Sequence, residues 1–108
     1  MDRNQLVIFC TCPDRESAED IATALVEERL AACVNLLPGL TSIYRWQDGV
    51  RRELECLLLI KSTAARFEAL RSRLRALHPY EVPEIIALPV SHGDPAYLRW
   101  LTENTQVP

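Results

Sequence analysis

The stretch Leu-Val-Ile-Phe-Cys-Thr-Cys, residues 6 to 12, decides the fold of this chain. It is apolar on both faces and rich in β-branched side chains, which is typical of a central strand covered on both sides. Pro13 ends this strand, and Asp14 is suited to cap a helix that starts directly after it. The apolar positions from Ala18 to Leu30 then recur at helical spacing. The sequence therefore opens with a predicted buried strand followed by an amphipathic helix.

A long hairpin is predicted in the middle of the chain. Residues 32–37 indicate a second strand closed by Pro38-Gly39, after which the chain extends again over residues 40–47. Asp48-Gly49 is a two-residue hairpin signal, because a type I′ turn needs positive φ at both central positions. The return strand is predicted from about Val50 to Lys61.

A second helix is expected after the hairpin. Ser62 or Thr63 is suited to cap it, and Pro79 ends it because proline disfavours helix at the preceding residue, His78. Its apolar stripe has helical spacing and consists of Phe67, Leu70, Leu74 and Leu77.

The last part of the chain predicts one more strand and a short helix. Residues 85–90 form the strand, and Pro89 within it indicates a sheet edge or bulge, since proline cannot donate a ladder hydrogen bond. Asp94-Pro95 is a cap followed by a favoured first helical residue. The order is a ferredoxin-like β-α-β-β-α-β sandwich of the α/β (α+β) class, spanning residues 1–108 as one domain. Two right-handed crossovers put the first and third strands in the middle.

Composition narrows the function classes. The 108 residues carry 12 Lys+Arg against 15 Asp+Glu, a net charge of -3 that argues against nucleic acid as a partner. No segment approaches the ~20 apolar residues that span a membrane. The first residues lack the apolar stretch of a secretory leader, so a cytoplasmic location is expected. Enzyme signatures such as a phosphate loop or nucleophile elbow are missing, which predicts a protein without catalytic activity.

Two features predict an oligomer. Each hairpin arm has about a dozen residues and would reach about 40 Å, further than the diameter of a compact domain of this size. Tyr44 and Trp46 on the projecting arms are therefore predicted interface anchors. The strands are also apolar on the face that carries no helices, and that face needs a cover, which neighbouring copies of the sheet would supply.

Several separated motifs resemble one known family. They are Phe9–Asp14, Leu30–Asn35, Pro38-Gly39, Ser42–Trp46, His78–Ile86, and Pro95–Leu98 with Trp100-Leu101. In this order they are similar to the CutA family over roughly residues 6 to 103. The resemblance implies a ferredoxin-like homotrimer, similar to the PII signal proteins, that serves tolerance to divalent cations and binds copper. None of this implies a cofactor needed for folding.

The same resemblance implies metal ligands. The family's proposed copper ligands are a cysteine in the first strand and two consecutive histidines before Pro-Tyr. Cys10 matches the cysteine and His78 the second histidine, whereas Leu77 occupies the position of the first and cannot coordinate a metal.

The residues themselves leave alternatives open. Cys10 and Cys12 share one face of the first strand, and Cys33 and Cys56 lie on neighbouring strands, so the thiols can gather and bind Cu(I) or Zn. They can equally be small buried apolar side chains, as most free cysteines are. His78 is either a metal ligand or a helix-terminal residue that interacts with free carbonyls.

The segment from Tyr80 to Glu84 is the other candidate site. It holds the Tyr80 phenol and the carboxylates of Glu81 and Glu84 on a stiff segment that has Pro83 within it. In a PII-like trimer such a loop can line a cleft between subunits, with Lys61 and Arg45 adding positive charge. The alternative is a rigid connection with solvated acids. A signalling or scaffold trimer that binds a small ligand, expected to be an anion, or a partner protein in this cleft is thus the second functional hypothesis.

Overall fold

The computed structural model describes residues 4–107 and contains one four-stranded antiparallel sheet with three helices. The strands are β1 (Gln5–Cys12), β2 (Cys33–Trp46), β3 (Gly49–Thr63) and β4 (Ile86–Pro89), and the helices are α1 (Arg15–Glu27), α2 (Phe67–Leu77) and α3 (Pro95–Glu103). The sheet order is β2-β3-β1-β4. The predicted ferredoxin-like order, with the first and third strands in the middle and a short last helix, is confirmed. The start of the chain, which carried the expectation about a leader, lies partly outside the described residues.

Local signals place α1 where the sequence predicted it. The Asp14 carboxylate accepts a hydrogen bond from the Ser17 amide at 2.8 Å, as an N-cap does. The helix then buries its apolar stripe, which consists of Ala18, Ile21, Ala22 and Leu25, against the sheet. These contacts make one face of the sheet the core of the protein.

The two faces of the sheet differ in cover. Ile8, Cys10, Leu58 and Ile60 point towards the long helices and are completely buried. Their neighbours in sequence point to the other face, where Val7, Phe9, Leu57 and Leu59 are only partly buried and Leu37, Ile86 and Leu88 are exposed. The sheet is therefore apolar on both faces, as predicted, and in a single chain much of one apolar face stays open to solvent.

Two predicted element boundaries were wrong in the hairpin. Pro38-Gly39 does not end a strand: β2 continues through it with a register irregularity between Leu37 and Leu40, and Gly39 supplies the positive φ of 80° that this irregularity needs. The turn residues are Gln47 and Asp48, with φ of 51° and 64°, because Gly49 already pairs with Trp46. Register along the arms, rather than the local Asp-Gly signal, fixes which two residues turn.

The predicted cap of the second helix was also wrong. Ser62 and Thr63 remain in β3, since Thr63 pairs with Gln5, and the Ser62 hydroxyl donates to the Leu30 carbonyl. A 3-10 turn over Ala64–Arg66 separates β3 from α2. Pro89 lies on β4, which pairs only with β1, so its prediction as an edge residue is confirmed.

Candidate functional site

Three metal-binding side chains meet where β1 passes under the end of α2. Cys10 and Cys12 lie two residues apart and therefore on the same face of β1. His78 follows the last residue of α2 and places its ring against that face. One ligand atom from each of the three residues lies within 4.8 Å of the other two, and all three residues are buried. We call Cys10, Cys12 and His78 the thiol–imidazole cluster.

The other two cysteines lie outside this cluster. Cys56 pairs with Cys12 across the sheet and is buried on the same face. Cys33 begins β2 opposite Lys61, at the far end of the sheet. The thiols thus gather only in part, and all four are free of disulfides. The sequence alone left Cys12 among four similar thiols, and only its position beside His78 distinguishes it.

Both ring nitrogens of His78 have partners. Nε2 lies 2.8 Å from the Thr11 carbonyl oxygen, and the Tyr80 amide donates to Nδ1 at 3.0 Å. Since a carbonyl only accepts and Nδ1 here accepts, the neutral ring carries its hydrogen on Nε2. The ring therefore contacts β1 and not the free carbonyls of its own helix, which was the alternative interpretation of His78.

The pKa values of the two thiols of the cluster are shifted in opposite directions. A hydrogen bond from Cys10 is the main reason that the pKa of Cys12 is lowered to about 6, with His78 contributing in the same direction. The pKa of Cys10 is raised, first by this hydrogen bond to Cys12 and then by burial. Burial lowers the pKa of His78, but its contacts with Cys12 and the Thr11 carbonyl outweigh this and raise it overall. Cys12 is therefore the more acidic thiol of the pair.

This acidity predicts a thiolate that titrates in the metal-free protein. We expect ultraviolet thiolate absorbance to rise as the pH passes about 6, because the Cys12 proton is lost above the lowered pKa. Cys12→Ser should abolish this step. Cys56→Ser should retain it, since burial raises the pKa of Cys56. A titration with no step below about pH 8 would contradict the assignment.

The donor set fits a soft metal ion. Thiolate and imidazole suit copper and zinc, whose bonds to sulfur and nitrogen measure about 2.0–2.3 Å. Ligand atoms around one such ion then lie roughly 3.5–4 Å apart. The spread of 4.8 Å in the cluster requires only a small contraction. Leu77, at the end of α2, packs against the core and offers no donor atom.

A cleft of about 660 Å³ lies between the hairpin arms and the segment that follows His78. Its walls include Tyr80, Glu81 and Glu84, which the sequence singled out, and also Tyr44 and Trp46. Lys61 is not among the lining residues and donates to the side chain of Asn35 instead.

The cleft is acidic, contrary to the expected positive lining. Its carboxylates come from Glu53, Glu55, Glu81 and Glu84, and Arg51 is the one cation among the lining residues that the structure describes. Arg45 is not among the lining residues either. The cleft as the single chain forms it therefore favours a cation over an anion.

Glu55 is a buried lining residue that the sequence did not reveal. It is only 7% exposed and accepts a hydrogen bond of 2.6 Å from the Tyr80 hydroxyl. Burial and this carboxylate raise the pKa of Tyr80, so the phenol stays protonated and donates. Thr11 lines the same cleft while its carbonyl contacts His78, so cleft and cluster lie on either side of β1.

Within residues 4–107, no helix has the length and apolar character needed to cross a bilayer.

Comparison with known proteins identifies the family. Residues 6–104 match the family model described as CutA1 divalent ion tolerance protein. The divalent-cation tolerance protein CutA of Thermus thermophilus is 60% identical over 99 residues, which cover 92% of this chain and 96% of that protein. A solved structure of a divalent cation tolerance protein from Thermus thermophilus superposes with a TM-score of 0.93 at 58% identity, covering 94% of this chain and 99% of that one.

A more distant solved structure bears on location. The CutA protein of Archaeoglobus fulgidus, described as periplasmic, is 33% identical and has a TM-score of 0.91, covering 94% of this chain and 99% of its own. This relative thus carries a periplasmic description, whereas a cytoplasmic location was expected from the sequence. The matched residues run from β1 into the end of α3 and include the whole thiol–imidazole cluster. The chain belongs to the CutA1 divalent ion tolerance family.

Proposed function

We propose that this protein contributes to divalent-cation tolerance by binding copper through Cys10 and His78, as a homotrimer without catalytic activity. The observation that carries the proposal is the convergence of these two residues, 68 positions apart in sequence, in one buried cluster of ligand atoms. Buried thiols and a buried imidazole bind soft ions more readily than Ca²⁺ or Mg²⁺, which prefer oxygen ligands. Folding needs no metal in this proposal, because most of the core consists of aliphatic side chains that pack without one.

Calorimetric titration with copper and zinc, carried out without oxygen, tests the proposal. Cys10→Ala and His78→Ala should each weaken copper binding by about 1,000-fold or more, since each removes a direct ligand and loss of an outer-shell partner alone costs about 10–100-fold. His92→Ala is the matched control: His92 is the other histidine of the chain, is exposed, and lies beside Ser91 away from the cluster. Equal copper affinity in all four proteins would disprove the assignment.

The open apolar face supports the trimer. Four partly buried side chains, Val7, Phe9, Leu57 and Leu59, form a continuous patch with the exposed Leu37, Ile86 and Leu88. Patches of this kind mark association surfaces. The molecule is also elongated, 44 Å along its longest axis against 26 and 22 Å, which fits a projecting hairpin whose Tyr44 and Trp46 anchor a neighbour. That the assembly has three subunits is taken from the family resemblance.

A cytoplasmic location is part of the proposal. Four free cysteines, three of them buried, suit a reducing compartment, where thiols persist and bind soft metals. Fractionation of cells that produce the protein at its natural level tests this point, and recovery with a periplasmic marker would contradict it.

The cleft supports a second candidate function, a signalling or scaffold trimer that binds a small molecule or a partner protein. Its aromatic walls and the buried Glu55 are features of ligand sites. The acidic lining predicts that the occupant is cationic.

A thermal-shift screen distinguishes the two functions. Polyamines and other organic cations should raise the melting temperature of the wild-type protein but not of Glu55→Gln, if the cleft is a binding site. Nucleotides and other anions should have little effect. Stabilisation by anions alone would contradict a cationic occupant, and stabilisation by metals alone would favour the first function.

A further inference from the structure

His78 has no free lone pair in the metal-free protein. Its Nε2 hydrogen faces the Thr11 carbonyl at 2.8 Å, and its Nδ1 lone pair is taken by the Tyr80 amide at 3.0 Å. An ion that binds at Nδ1 displaces the Tyr80 amide directly. An ion that binds at Nε2 moves the ring hydrogen to Nδ1, which then cannot accept from that amide. Coordination by the neutral ring therefore breaks the hydrogen bond from the Tyr80 amide at either nitrogen.

Tyr80 is held by both its ends. Its amide donates to the ring of His78, its own ring packs against that ring with centroids 4.8 Å apart, and its hydroxyl donates to Glu55 at 2.6 Å. Tyr80 and Glu55 both line the cleft. One residue thus connects the thiol–imidazole cluster on one side of β1 with the cleft on the other.

The donor atoms of the cluster also discriminate between ions. Leu77 offers no donor atom, but Cys12 adds a second sulfur to that of Cys10. Two sulfurs and one nitrogen are therefore available. Cu(II) prefers tetragonal sites rich in nitrogen and oxygen, and structural zinc takes four ligands. Cys10 and Cys12 are completely buried and His78 is 7% exposed. Little water therefore reaches the site to serve as the further ligands that those two ions need. Soft Cu(I), which is stable with few thiolate and imidazole ligands, matches this set.

We propose that Cys12 is the third ligand of a Cu(I) site formed with Cys10 and His78, and that loading this site releases the Tyr80 amide and thereby alters the cleft. The proposal rests on the proposed copper-binding function and adds its oxidation state, its third ligand and its consequence. Because linkage is reciprocal, an occupant of the cleft that holds Tyr80 in place weakens Cu(I) binding.

The test combines affinity with a local probe. The 108-residue chain, labelled with ¹⁵N, is titrated anaerobically with Cu(I) in competition with a coloured Cu(I) chelator, while the Tyr80 amide resonance is followed. We expect Cu(I) to bind more tightly than Zn²⁺ and to shift the Tyr80 amide in proportion to occupancy. Cys12→Ser should weaken Cu(I) binding by at least about 100-fold, more than loss of an outer-shell partner does.

Cys56→Ser is the matched control, because it removes a buried thiol opposite Cys12 that does not belong to the cluster. It should retain both the affinity and the amide shift. If Cys12→Ser does not fold, as judged by its amide spectrum, Cys12→Ala replaces it and avoids burying a hydroxyl.

The outcomes separate this proposal from the copper-binding function. Wild-type protein that binds no copper overturns both. Wild-type affinity for Cu(I) in the Cys12 variant, with weak binding in Cys10→Ala, overturns the third ligand and leaves copper binding intact. A Tyr80 amide that does not move at full occupancy overturns the link to the cleft. Tighter binding of Zn²⁺ than of Cu(I) overturns the choice of ion.

Discussion

Leu88→Asp is expected to convert the proposed trimer to a monomer and to lower the melting temperature by about 15 °C or more. Leu88 lies on β4 opposite Val7 and is 46% exposed in one chain, on the helix-free face of the sheet. If that face is buried between subunits, a carboxylate there loses its hydration without gaining a partner, which costs several kcal/mol. In a domain of this size, about 1 kcal/mol shifts the melting temperature by roughly 4–8 °C.

Val26→Asp is the matched control for this prediction. Val26 is also aliphatic and 40% exposed, but it lies on α1, on the other side of the sheet. It should leave the mass unchanged and lower the melting temperature by less than about 8 °C, since an acid in the last turn of a helix costs about 0.3–1 kcal/mol. Light scattering gives the mass of each protein, with 12.3 kDa as the monomer value. A Leu88 variant that melts and scatters like the wild type, or a wild type that is already monomeric, would contradict the proposed assembly.

Copper should stabilise the wild-type protein strongly and two single-residue variants hardly at all. A ligand that binds only the folded state at 1,000 times its dissociation constant adds about 4 kcal/mol of stability. This corresponds to a rise in melting temperature of roughly 15 °C or more. The gain should disappear in Cys10→Ala and in His78→Ala, since neither retains the paired donors that β1 and the end of α2 bring together.

Calorimetric melting under reducing conditions, with and without copper, measures this effect. His92→Ala should behave like the wild type, because its side chain lies outside the cluster. Cys10→Ala also removes a buried thiol from the core, so the comparison uses the difference between copper-loaded and copper-free protein for each variant. An equal gain in Cys10→Ala and the wild type would place bound copper elsewhere on the molecule.

The element order was predictable because it depends on short-range patterns. The continuous apolar run of β1, the helical stripe of α1 with its Asp14 cap, and Pro89 at a sheet edge each follow from local sterics and hydrogen bonding. The errors arose where pairing along the sheet overrides local signals. Register carries β2 through Pro38-Gly39 and shifts the turn to Gln47 and Asp48.

The residues of the candidate site also fall into two groups, those that the sequence identified and those that only the structure singled out. Cys10 and His78 were identified by motif resemblance, and Tyr80, Glu81 and Glu84 by the stiff segment that holds them. Only the structure singled out Cys12 and Glu55. Cys12 lies beside the ring of His78, and Glu55 accepts a hydrogen bond from the hydroxyl of Tyr80. Lys61 does not line the cleft of the single chain, since strand pairing sets it opposite Cys33.

The sequence by itself determined the α/β class, the order of strands and helices, the apolar character of both sheet faces and the family. Those properties are carried by residues within a few positions of one another. Tertiary structure alone decided that Cys12, rather than Cys33 or Cys56, joins Cys10 and His78, and that the cleft is acidic. The physical reason is that ligand geometry and local charge depend on which distant side chains the register of β1 and β3 and the end of α2 bring within a few ångströms.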